Sequence, residues 1–118
     1  MESLEISIET DDRTLSRDYM GVARGTEILA AGEGKLVYQG FKVRKGGGPD
    51  LLSDVLVFII DAAKNIEYGL IAAWLSQKVS DRPRPTRLVI RRKIVENVTP
   101  EGIERVIKEE IEGPVNRD

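Results

Sequence analysis

Arg82, Arg84, Arg87, Arg91, Arg92 and Lys93 crowd six cations into one short stretch of this chain. Guanidinium groups pair well with phosphates, so such a run is a candidate grip for a nucleic-acid backbone or another phosphate anion. The competing reading is a solvated strand face whose charges resist edge-to-edge pairing, or one that meets an acidic last helix. No aromatic residue interrupts the run, so it lacks the stacking platform that favours single strands. Carboxylates also come in pairs: Asp11-Asp12, Asp54 with Asp61, and Glu109-Glu110. General acid–base chemistry needs two carboxylates converging on one cleft, and none of these spacings demands that. Lys45-Gly46-Gly47-Gly48 has neither the Gly-Lys-Ser/Thr ending of a P-loop nor the Gly-x-Gly-x-x-Gly fingerprint, and reads as a connection.

The chain contains no cysteine and no histidine. Zinc and non-haem iron sites usually need thiolate or imidazole, and serine-type triads need an imidazole base. Carboxylate, lysine or tyrosine chemistry remains, and no motif organises it. The expectation is a protein without cofactor or metal, and not an enzyme. With 118 residues, 41% hydrophobic and 32% charged, the chain fits a single globular domain over 1–118, with 114–118 a flexible tail. A net charge of −2 gives no global pull towards polyanions. The start of the chain lacks the basic and apolar regions of a signal peptide, and its most apolar stretch, 51–75, carries charges that a membrane span would reject. A cytoplasmic location is expected, with no membrane partner.

The elements that would position these groups follow from periodicity. Leu4, Ile6 and Ile8 alternate with polar residues, which predicts a half-buried strand. Thr14 to Ala31 reads as one interrupted helix or two short ones. Gly32-Glu33-Gly34 is a turn, and Lys35 to Val43 is a second strand with Gly40 at a bulge. Asp50 is set to cap a long helix from Leu51 to Val79, which would measure ~40 Å at 1.5 Å per residue and therefore bend or project into a partner. Thr86 to Val98 is one bent strand or two short ones. Thr99 as N-cap and Pro100 at the first helical position open a final helix, which Gly113-Pro114 stops. Strands alternating with helices favour crossovers. The expected fold is α/β, with α+β as the alternative: a three- to four-stranded, mostly parallel sheet covered by about three helices, in the order β-α-β-α-β-α.

The segment DLLSDVLVFIIDAAKNIEYGLIAAWLSQKV, followed by a basic β segment and a short closing helix, resembles the small domains called effector-associated constant components of bacterial conflict and signalling systems. The likeness is one of pattern across most of the chain and is sharpest at Ala73-Trp74-Leu75. The chain departs from it in two places: Thr86 to Val98 lacks a clear glycine turn, and the helix of the first half is broken by glycines. The resemblance implies a non-enzymatic adaptor that couples to effectors such as proteases or nucleases, and it supplies no catalytic residue.

These readings lead to an interaction or adaptor module with a protein partner or a second copy. Its candidate interface is Tyr68, Leu70, Trp74 and Leu75 on the long helix, where the only tryptophan and a tyrosine stand close together. The alternative is nucleic-acid or phosphate-anion binding through 82–93.

Overall fold

The fold is taken from a computed structural model, which describes residues 3–44, 52–61 and 65–112. The glycine loop from Lys45, the Asp50 cap and the 114–118 tail lie outside the described residues. In chain order the elements are β1 (Ser3–Thr10), α1 (Arg13–Met20), β2 (Glu27–Ala31), β3 (Gly34–Val43), β4 (Asp54–Asp61), α2 (Tyr68–Val79), β5 (Thr86–Ile90), β6 (Lys93–Ile94) and α3 (Pro100–Glu112). The strands form one six-stranded sheet in the order β2-β3-β4-β1-β5-β6, and every neighbouring pair is antiparallel. This corrects the expected three- to four-stranded, mostly parallel sheet.

Two misread segments account for the difference. The expected helix from Leu51 to Val79 is a strand and a separate helix, because Asp54–Asp61 is β4 and only Tyr68–Val79 is α2. In Val55-Leu56-Val57-Phe58-Ile59-Ile60 every position is apolar, so any period fits. The β-branched side chains and the phenylalanine, which suit a pleated strand buried on one face and half-buried on the other, decide it. The expected helix over Thr14–Ala31 likewise ends at Met20, and Glu27–Ala31 is strand β2. Both added strands belong to antiparallel pairs, so the parallel crossovers expected from strict alternation give way to hairpins. One crossover survives: β4 and β5 run parallel to each other, with β1 inserted between them and α2 crossing above.

The readings of β1, β3 and α3 hold. Register shifts between Tyr38 and Gly40, where Gly40 has φ +142°, so the bulge sits at the glycine. The β2–β3 turn depends on Gly32, with φ +67°, where an added Cβ would collide with the backbone oxygen of Asn65. Gly32→Ala is therefore expected to cost about 1–3 kcal/mol, read as a lowered urea midpoint. Thr99 caps α3 by accepting from the Gly102 amide at 3.1 Å, and Asp12 caps α1 by accepting from the Thr14 amide at 3.0 Å.

Alternation along the strands builds the core. Ile6 and Ile8 of β1, Phe58 and Ile60 of β4, and Leu88 and Ile90 of β5 lie on one face of the sheet. Leu15 and Tyr19 of α1, Ile71 and Leu75 of α2, and Ile103 and Ile107 of α3 close over them. Phe58 is the hub of an aromatic cluster, with ring centroids 5.5 Å from Tyr19, 5.6 Å from Tyr38 and 5.6 Å from Trp74. Burial, with Asp18 nearby, pushes the Tyr19 hydroxyl up to about 12. All three helices contribute their buried residues to this face.

Candidate interaction surfaces

Helix α2 is only twelve residues long and does not project beyond the domain, so the length argument for a partner falls away. Its composition replaces that argument. Ile71, Ala72, Leu75 and Val79 face the core, which leaves Leu70, Ala73, Trp74 and Gln77 as the outer strip at i, i+3, i+4 and i+7. Leu70 is 47% exposed and Ala73 is exposed. A helix that is apolar on both sides is normally covered on both. Of the four expected interface residues, Leu75 is fully buried and serves the core. Trp74 is half-buried, edge-on to Phe58 inside and beneath the Lys78 ammonium, 5.5 Å from its ring. Tyr68 is half-buried at the start of the helix, and its hydroxyl lies 3.3 Å from Glu112 of α3. Leu70 stands free to dock.

The arginine segment does not form one patch. Arg82 donates to Asp12 at 3.3 Å and to the Lys78 carbonyl at 2.8 Å. Arg87 donates to Glu9 at 2.7 Å. Arg91 and Lys93 straddle Glu110 of α3 at 3.6 and 3.0 Å, so the basic strand does meet the acidic last helix. Arg84 and Arg92 are exposed and have no ion-pair partner among the described residues. Two available cations imply that this segment contributes a slope no steeper than about −2 to log affinity against log salt for duplex DNA. A filter-binding titration of the wild type beside Arg84→Ala/Arg92→Ala measures that contribution directly. A shallow cleft of ≈ 580 Å³ lies along Arg82–Arg87 and Val95, but two of its three arginines are already committed.

The helix-free face of the sheet has a banded pattern that the strand register fixes. Glu27, Val37, Ile59 and Glu5 lie in one row across β2, β3, β4 and β1. The next row holds Gly40, Val57, Ser7, Val89 and Ile94, with Ile94 56% exposed. A third holds Lys42, Val55, Glu9 and Arg87. Burial alone would raise the Glu9 pKa, but hydrogen bonds from Arg87 and Arg44 outweigh it and hold the carboxyl below its ordinary 4.5. A carboxylate with a depressed folded pKa stabilises the fold above its unfolded pKa, and that contribution is lost as pH falls through the folded value. Stability is therefore expected to drop on acidification below pH 4.5, with a smaller drop in Glu9→Gln, both followed by urea denaturation at stepped pH.

The carboxylates take structural places. Asp54 and Asp61, seven apart, would share a helix face but lie on opposite faces of strand β4. Asp54 is fully buried and accepts from Ser16 Oγ at 2.6 Å and Ser53 Oγ at 3.2 Å. Beside it Asp12 caps α1 and holds Arg82, while the Asp12 amide donates to Thr10 Oγ1 at 2.8 Å. This knot ties α1 to the ends of β1 and β4. Sequence reading missed it because its members, Thr10, Asp12, Ser16 and Asp54, are scattered along the chain. Among the described residues, no buried side-chain polar atom lacks a partner, no group of three or more acidic side chains could hold a metal ion, and no helix is long and apolar enough to cross a membrane. Comparison with family models, curated proteins and solved structures finds no match to this chain.

Proposed function

We propose that this chain is a non-enzymatic interaction module, an adaptor that docks a protein partner on the outer strip of α2. The observation that carries the reading is the two-sided apolar character of that helix, with Leu70 and Ala73 on the exposed side and Trp74 between strip and core. Aromatic residues at the edge of such a strip are favoured interface anchors. The saturated hydrogen bonding of Asp54, Ser16 and Asp12 agrees with this, since those groups are spent on the fold. The sequence resemblance to effector-associated components suggests the kind of partner: an effector such as a protease or nuclease. Affinity capture from the native lysate, with and without nuclease and at two salt concentrations, tests the reading. A protein partner retained at high salt is the expected result. Recovery of nucleic acid that washes off at high salt would overturn it in favour of the arginine segment.

A further inference from the structure

We infer that the outer edge of β3, beyond the Gly40 bulge, takes up an extended peptide of alternating apolar and acidic residues as an added strand. The inference uses a different part of the molecule from α2 and does not depend on the adaptor reading. Its basis is an edge left open partway along a strand. β2 pairs with β3 only between Gly34 and Val37. The loop before β2 extends that pairing by one residue: the Gly25 amide donates to the Tyr38 carbonyl at 2.7 Å, and the Tyr38 amide to the Thr26 carbonyl at 2.8 Å. Past the bulge, nothing among the described residues pairs with this side of β3. On the β4 side the Arg44 amide donates to the Ser53 carbonyl at 2.7 Å. Antiparallel ladders alternate, so Phe41 and Val43 turn their amides and carbonyls to the open side.

The side chains at this edge define what fits it. A cleft of ≈ 560 Å³ brings Met20, Val22 and Arg24 together with Gly40, Phe41 and Lys42. Phe41 and Val43 lie opposite Leu56 and Asp54 and face the helix layer, where Val43 is 49% and Met20 55% exposed. Apolar side chains of an added strand would cover these residues. Lys42 projects to the other face, beside Val55, and is exposed, as is Arg24. Neither cation has an ion-pair partner among the described residues; Arg24 donates only to Gln39 Oε1, at 3.3 Å. The carboxylate that lines the cleft, Glu5, stands on β1, two strand spacings or ~10 Å from β3. The edge therefore favours acidic side chains at the positions that alternate with the apolar ones. A second copy fits badly: pairing the two edges about a two-fold axis between Phe41 and Val43 sets Lys42 against itself.

The probe is a capped hexapeptide alternating valine and glutamate, titrated into the full isotope-labelled chain and followed by amide chemical shifts. Saturable binding is expected, with the Phe41 and Val43 amides moving most and exchanging more slowly with solvent. A strand offers only alternate amides to an edge, so N-methylation at either the valines or the glutamates should abolish binding, and at the other set should not. Lys42→Glu, at an exposed site, should weaken the complex about tenfold and shift preference to the valine–lysine peptide. Leu70→Glu on α2 should leave it unchanged. The inference is overturned if the peptide fails to saturate by about 1 mM. It is equally overturned if both N-methylated peptides still bind, if Lys42→Glu changes nothing, or if the shifts centre on residues 82–93. Any of these results leaves the α2 reading standing, since Leu70 is assayed separately.

Discussion

Phe58→Ala is expected to destabilise the chain by about 3–5 kcal/mol, enough to leave a domain of this size largely unfolded at 37 °C. Phe58 is fully buried at the middle of β4 and meets three aromatic rings that come from α1, β3 and α2. Removing it opens a cavity where two helices and the sheet converge, and none of the three can move inward without leaving its other contacts. Trp74→Ala provides the comparison. Trp74 keeps part of its ring at the surface and touches only one edge of the cluster, so its loss should cost about half as much. Urea denaturation followed by far-ultraviolet circular dichroism measures both. Equal costs would contradict the placement of Trp74 between core and surface.

Asp54→Ala is expected to cost about 3 kcal/mol, because it deletes the carboxyl acceptor of two hydroxyl groups inside the fold. Ser16, fully buried, would keep only a long 3.4 Å contact to the Asp12 carbonyl. The nearby Arg13 adds little, since its guanidinium is 3.8 Å away and that side chain is 61% exposed. Asp54→Asn retains an acceptor oxygen and should cost about 1 kcal/mol. Hydrogen exchange should show the loss concentrated at the start of α1, where the knot holds the helix to the sheet. A loss below about 1 kcal/mol for the alanine variant would mean that the α1 cap at Asp12 suffices alone.

What could be read from the residues depended on how strongly each pattern excluded its rivals. Leu4, Ile6 and Ile8 permit only a strand, and Thr99-Pro100 permits only a helix start. Gly40 marks its bulge because few other residues accept φ +142°. Asp54 to Asp61 was ambiguous, since a segment apolar at consecutive positions satisfies the helical period and the strand period alike. Reading it as helix joined it to α2 and removed the central strand of the sheet. The same error placed Asp54 and Asp61 on one face and counted Leu75 as surface. The arginine segment was visible, but its neutralisation was not: Glu9, Asp12 and Glu110 reach it through tertiary pairing. The banded sheet face was hidden for a related reason. Its rows run across strands, at right angles to the chain, and appear only once the register is known.

The central claim is that the outer strip of α2 docks a protein partner, and Leu70→Glu tests it most directly. Leu70 is 47% exposed, so a charge there should leave the fold intact, as a circular dichroism melt will verify. Parallel affinity captures with wild-type and Leu70→Glu chains, at high salt and after nuclease treatment, are then compared by quantitative mass spectrometry. The account predicts a protein partner that the wild type retains and the variant loses at least tenfold. Equal recovery of that partner by a folded Leu70→Glu chain would contradict it.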